Sequence, residues 1–122
     1  MDLRTARSLS PQEFHARRAA ERHASRETLR ELRLCQARDA IQQIAPGFPA
    51  LRAVHLFGSV LRPGAFSAAS DLDVAVDCAE LEEETLFARA LEREIGLSVD
   101  LRPLRGAIAD AVREEGEKVY DG

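Results

Sequence analysis

The sequence contains no tryptophan, one tyrosine, one methionine and two cysteines, and aromatic residues make up only 5% of its 122 positions. With 45% hydrophobic residues and no tryptophan, the composition is that of a small soluble globular protein. Cys35 and Cys78 are far apart in the chain, without a metal-like spacing and without a paired histidine. A disulfide framework, a zinc site and thiol catalysis are therefore unsupported, and both cysteines are expected to be reduced, semi-buried small residues. No apolar run approaches the roughly 18 residues of a membrane span, and Met1 to Ser10 lacks the apolar segment of a secretory signal. No membrane association is expected, and the cytoplasm is the expected compartment. Internal repeats and low-complexity tracts are absent.

The charge is unevenly placed. The formal net charge of -4 conceals nine arginines against five acidic side chains in residues 1–38, and eight basic against sixteen acidic groups in residues 39–122. A basic first segment on an acidic body suits a protein partner, self-association or solvated arginine. Direct nucleic-acid binding is not expected, because the acidic body would repel a phosphate backbone.

Ser10-Pro11-Gln12-Glu13 has the pattern of a helix start, with Ser10 as N-cap, Pro11 in the first turn and Glu13 completing a capping box. The helical pattern runs to about Ala45 and stops at Pro46-Gly47. From Glu13 to Arg30 its apolar content is mostly alanine, with Phe14 the one large side chain. From Leu32 onward, Leu34, Ala37, Ile41 and Ile44 form an apolar stripe. The second half is expected to pack on the domain and the first to be less firmly held, either as one helix or as two. Residues 1–30 are thus read as an N-terminal helical extension and 31–122 as the domain proper.

Leu51 to Phe57 reads as a strand, with a short helical turn beginning near Val60. A second strand is expected from Leu72 to Val76, a helix from Glu80 to Ile95 closed by Gly96, and a third strand from Ser98 to Leu101 ended by Pro103. Ile108, Ala111, Val112, Glu115 and Val119 mark a last helix, with Tyr120 near its end covering an edge. This order gives an α+β, two-layer α/β fold: a small mixed β-sheet packed with helices.

The chemistry concentrates in two places. Gly58-Ser59 lies where a strand ends and a turn begins, so an anionic group could approach the bare backbone there. By itself such a pair is as readily an ordinary turn. Asp71 and Asp73 are more telling, because two residues apart on an extended chain they project from one face, and strands disfavour aspartate. Asp100, within the short apolar run Val99-Asp100-Leu101, can reach the same face if its strand lies beside the second. Three carboxylates beside a phosphate-binding turn would make a Mg²⁺ site for phosphoryl transfer, with Asp100 the natural general base for an incoming hydroxyl. His55 would either touch a nucleotide or pack as a half-buried histidine. His15 and His23 are too far apart to share one metal.

Leu56-Phe57-Gly58-Ser59, then Ser70-Asp71-Leu72-Asp73-Val74-Ala75-Val76, then Val99-Asp100-Leu101 resembles the minimal nucleotidyltransferase (MNT) family of the DNA polymerase β superfamily, over about residues 30 to 120. The resemblance implies the nucleotidyltransferase fold. Gly58 and Ser59 would contact the β- and γ-phosphates of ATP, Arg62 could reach a phosphate, and Asp71, Asp73 and Asp100 would bind Mg²⁺, with Asp100 activating the nucleophile. It further implies a small all-helical HEPN-type partner in a toxin–antitoxin pair, in which the nucleotidyltransferase is the antitoxin and transfers AMP from ATP to a toxin tyrosine. The alternative keeps the fold and neutralises or regulates the partner by binding alone. Two features depart from the family pattern. The stretch Val60 to Ser70 is one residue longer than usual, and the expected Arg-Gly is here Arg62-Pro63-Gly64. The long basic helix would either dock the partner or pair two copies of the chain.

Overall fold

A computed structural model describes residues 9–122. Its first element, α1 (Pro11–Ile44), is one continuous 34-residue helix, about 51 Å long at 1.5 Å per residue. The capping box is formed as expected. The Glu13 N–H donates to Ser10 Oγ at 3.1 Å and the Ser10 N–H to Glu13 Oε2 at 3.3 Å, satisfying two N–H groups the helix cannot pair internally. A short 3-10 turn, Ala45–Gly47, ends it where Pro46 and Gly47 remove helix-forming capacity.

The two halves of α1 differ as the alanine-rich and leucine-rich stretches anticipate. Every residue from Pro11 to Ser25 is exposed. Ala37, Ala40 and Ile41 are buried, with Leu29, Leu34 and Ile44 packed beside them. The alternative of two separate helices does not hold, since nothing between Glu13 and Arg30 breaks the backbone. Phe14 remains 48% exposed, with the Arg18 guanidinium over its ring.

Strand β1 (Leu51–Phe57) pairs antiparallel with β2 (Leu72–Cys78), and β2 pairs parallel with β3 (Val99–Pro103). Helix α2 (Leu81–Ile95) makes the crossover from β2 to β3 and ends at Gly96, whose φ of +64° suits a residue without a Cβ. Helix α3 (Ala107–Glu115) follows, and then β4 (Glu117–Asp121), which pairs antiparallel with β1. The sheet order is β3-β2-β1-β4.

β4 corrects the expectation of a last helix reaching Val119. A Cβ at Gly116 would lie 2.6 Å from the Val112 carbonyl oxygen, and Gly116 itself is extended (φ −84°, ψ 166°). The helix therefore stops at Glu115. The next residues include Val119 and Tyr120, which favour a pleated surface once β1 offers an open edge. Tyr120 is thus a strand residue opposite Val54. β3 likewise includes Pro103 at its end, on a sheet edge that tolerates a missing donor. Cys78 is half-buried as expected, but Cys35 is exposed, because it falls outside the apolar stripe of α1.

The period of two sorts the sheet into two faces. Val54 and Leu56 of β1 and Leu72, Val74 and Val76 of β2 form one apolar face, all at most 1% exposed. It packs under α1 and α2 with Phe66, Phe87 and Leu91. Phe48 and Phe87 meet edge to face with ring centroids 5.6 Å apart. Two polar contacts fasten the helices. Arg33 Nη1 donates to the Ile95 carbonyl at the C-terminus of α2 (2.9 Å), and Glu83 accepts the Ala50 N–H (2.6 Å). The opposite face carries His55 and Phe57, Asp73 and Asp77, and Asp100 and Arg102.

Candidate active site

The site occupies the second face of the sheet, at the end where β1 leaves and β2 and β3 enter. Register brings its members together. Phe57 is opposite Asp73, and Asp73 is beside Asp100 in the parallel pair, where neighbouring strands run about 4.8 Å apart. Asp71 immediately precedes β2 and is exposed, two residues from Asp73. Helix α3 packs against β1 and β2. Ala53, Ala75 and Val112 are buried but are not part of the main core cluster. α3 thus covers the middle of this face and leaves the aspartate end open.

Gly58 opens the 3-10 turn Gly58–Leu61 with φ +76°, a conformation L side chains rarely adopt. A Cβ on Gly58 would sit 2.2 Å from Asp73 Oδ2. The missing side chain therefore lets a carboxylate lie directly against the start of the turn. Turn and carboxylate are therefore in direct contact, and the Ser59 N–H acts on the Asp73 carboxyl by lowering its pKa.

Asp73 is the electrostatic centre of the group. Desolvation pushes its carboxyl above the ordinary range, and the charges of Asp100 and Asp71 push the same way; the Ser59 N–H and the Arg62 guanidinium oppose the rise. Three carboxylates thus share one field. Such a cluster gains by receiving a cation, which suits the oxygen-rich donor set that Mg²⁺ prefers. It is not a closed ligand cage. Among the described residues, no group of three or more His, Cys, Asp or Glu side chains is gathered tightly enough to hold a metal ion.

Two ion pairs lie at this group of carboxylates. Arg102 Nε donates to Asp100 Oδ1 at 2.9 Å, and Arg62 Nη2 donates to Glu115 Oε1 at 2.6 Å. All four side chains are at least 41% exposed, so solvent screens each pair and leaves it weakly held, open to exchange for a ligand. Arg62 is near enough to Asp73 for its charge to act on that carboxyl, and its hydrogen-bond partner is the Glu115 carboxylate. Sequence reasoning missed Arg102 and Glu115. Arg102 was within reach, since alternation puts it on the same face as Asp100. Glu115 was hidden by running the last helix through Gly116, which obscured where α3 ends.

His55 is half-buried on the same face, opposite Ala75 and Lys118. Burial, then Lys118, lowers its pKa, with Asp121 opposing, and its buried Nδ1 has no hydrogen-bond partner. The packed alternative describes it best.

No family model matches the sequence, and a comparison with curated proteins finds no match. Solved structures do match. A toxin–antitoxin crystal structure with AMP-PNP aligns at TM-score 0.58 and 26% identity, covering 70% of this chain and 73% of that one. The crystal structure of the toxin–antitoxin MntA-HepT aligns at 0.52 and 23%, covering 73% of each. A structure of the tri-AMPylated Shewanella oneidensis HEPN toxin in complex with MNT antitoxin aligns at 0.51 and 23%, covering 74% and 73%. The fold is the α+β nucleotidyltransferase-like fold, shared with these toxin–antitoxin structures. No described helix is long and apolar enough to cross a membrane.

Proposed function

We propose that the protein is a Mg²⁺-dependent nucleotidyltransferase that moves AMP from ATP to a hydroxyl, the acceptor being a tyrosine of a HEPN-type partner that the modification silences. The observation that carries this reading is Asp73 lying against the bare backbone of Gly58 within the joint field of Asp71 and Asp100. The relatives support it: one is a toxin–antitoxin structure with AMP-PNP, another an AMPylated HEPN toxin in complex with MNT antitoxin.

Asp71, Asp73 and Asp100 would hold the Mg²⁺, which when bound supplies neutralisation of triphosphate charge. The protein's own groups do the rest. Gly58 leaves room for a phosphate at the turn, and the Ser59 hydroxyl is a donor toward it. Arg62 exchanges Glu115 for a phosphate oxygen. Asp100, released from Arg102, accepts the proton of the attacking hydroxyl as its oxygen bonds to the α-phosphorus and the bond from that phosphorus to the β-phosphate oxygen breaks, pyrophosphate leaving; Arg102 stays beside the developing charge. The open end of the sheet face receives the acceptor, while α3 shields the rest from water.

Mass spectrometry of the partner after incubation with the protein and Mg²⁺-ATP tests the reading. An added mass of one or more AMP units is expected, and an unmodified partner overturns it. A second reading, neutralisation by binding alone, draws on the two ion pairs that occupy Asp100 and Arg62. It requires that Asp71→Asn with Asp73→Asn leave neutralisation intact.

A further inference from the structure

The segment that leaves the phosphate turn is tied to the long helix at both ends by one ion pair. Arg30 Nη1 donates to the Val60 carbonyl at 3.1 Å, within the turn itself. Its Nε and Nη2 donate to Glu27 Oε2 at 3.1 and 3.0 Å. The other oxygen of Glu27, Oε1, accepts the backbone N–H of Gly64. One carboxylate and one guanidinium thus clasp residues 60 and 64, and His23 of the same helix lies beside Gly64. The side chains of Arg30 and Glu27 are only 12% and 21% exposed. That sets this pair apart from the open ion pairs on the sheet face, because a shielded, multiply bonded pair is weakened less by solvent.

The clasped segment contains Arg62, and it continues from Gly58 and Ser59 without a break. Gly58 has an unusual φ, and the turn is only four residues long, closed by Arg62 N–H to Ser59 O at 3.1 Å. A turn this short keeps its N–H groups in one direction only if its exit is fixed.

We propose that Glu27 and Arg30 are positioning residues for the Gly58–Leu61 turn, holding its exit through Val60 and Gly64 so that Ser59 and Arg62 face the nucleotide. This rests on the reading of that turn as the triphosphate site. The basic helix then has a task inside the domain as well as a free end: its Glu27–Arg30 step belongs to the site, while Pro11–Ser25 remains exposed.

The test uses the full chain with Arg30→Gln, Arg30→Lys and Glu27→Gln. Hydrogen exchange of amides 59–64 should speed up by about tenfold in Arg30→Gln, and the KM for Mg²⁺-ATP should rise by about five- to tenfold with kcat within about twofold. Arg30→Lys, which can still reach the Val60 carbonyl, should recover part of the loss. Glu27→Gln, which keeps an acceptor for Gly64, should lie between wild type and Arg30→Gln. A merely structural role would instead lower thermal stability and the active fraction while leaving KM unchanged. If Arg30→Gln does not fold, Arg30→Lys and Glu27→Gln must still show faster exchange and a raised KM. Unchanged exchange and KM, in a background where wild type binds Mg²⁺-ATP, overturn the positioning role alone. A wild type that takes up no Mg²⁺-ATP in equilibrium dialysis overturns the nucleotide reading and the role with it.

Discussion

The two faces of the sheet are built from alternate residues of the same strands and have opposite purposes. Val54, Leu56, Leu72, Val74 and Val76 look toward α1 and α2 and are fully enclosed. Asp73 and Asp100 look the other way, where α3 covers only the middle of the face. On the first face burial is satisfied and stabilising. On the second, Asp73 is partly desolvated among like charges, which disfavours the folded state unless a cation arrives. Stability and chemistry are therefore separated by one residue of register, and a substitution should affect one or the other according to parity.

The largest expected effect is on activity. Asp73→Asn should lower AMP transfer by roughly 10³-fold or more, measured as the rate of mass gain on the partner, while the melting temperature holds or rises. A fall in stability alongside the lost activity would break the separation of faces. From the other face, Phe87→Ala empties a fully buried site beside Phe48. It should cost about 3–5 kcal/mol in urea denaturation and leave the nucleotide affinity of the folded fraction unchanged.

Gly58→Ala probes the point where the faces meet, because the turn follows β1 directly. Its added Cβ would collide with Asp73 Oδ2 and would hold a positive φ. A loss of about 1–2 kcal/mol is expected from the backbone alone, together with weakened Mg²⁺-ATP binding by calorimetry. Equal affinity for nucleotide in this variant would detach the turn from the site.

Much of this division was legible in the sequence, because it follows from local rules. The capping box at Ser10, the stop at Pro46-Gly47, the alternation in Leu72–Val76 and the glycine after Ile95 each rest on a few neighbouring residues. The Asp71-x-Asp73 pair and Asp100 could be placed on one face by parity as soon as β2 and β3 were taken as neighbours. What stayed hidden depends on distant parts of the chain. Strand β4 exists because β1 has an open edge, which Glu117–Asp121 does not announce. The pairing of Arg62 with Glu115 needed the true end of α3, and the clasp of Arg30 on Val60 spans 30 residues. The orientation of Arg102 toward Asp100 was the one missed feature that simple alternation contained.

The smallest expected effect is also the finest test of the two faces, since it compares two carboxylates of opposite habit in one sheet. Glu117 of β4 is opposite Leu56 and reaches Arg38 of α1 with bonds of 2.6 and 2.7 Å. That hydrogen-bonded pairing lowers its pKa, whereas desolvation among like charges raises that of Asp73. Glu117 therefore contributes stability that is present above its unfolded pKa, near 4.3, and is lost as pH falls through its lower folded value. Asp73 does the reverse: its contribution is fully present below its unfolded pKa, near 3.9, and is lost as pH rises through its higher folded value. At neutral pH, Glu117→Gln should cost about 0.2–1 kcal/mol, the range for partly exposed pairs, and Asp73→Asn should gain. Both differences from wild type should shrink in denaturation curves taken toward pH 3, from opposite sides. Parallel rather than converging pH profiles would mean that Asp73 is not under strain, and that the open face carries no stored cost for a cation to relieve.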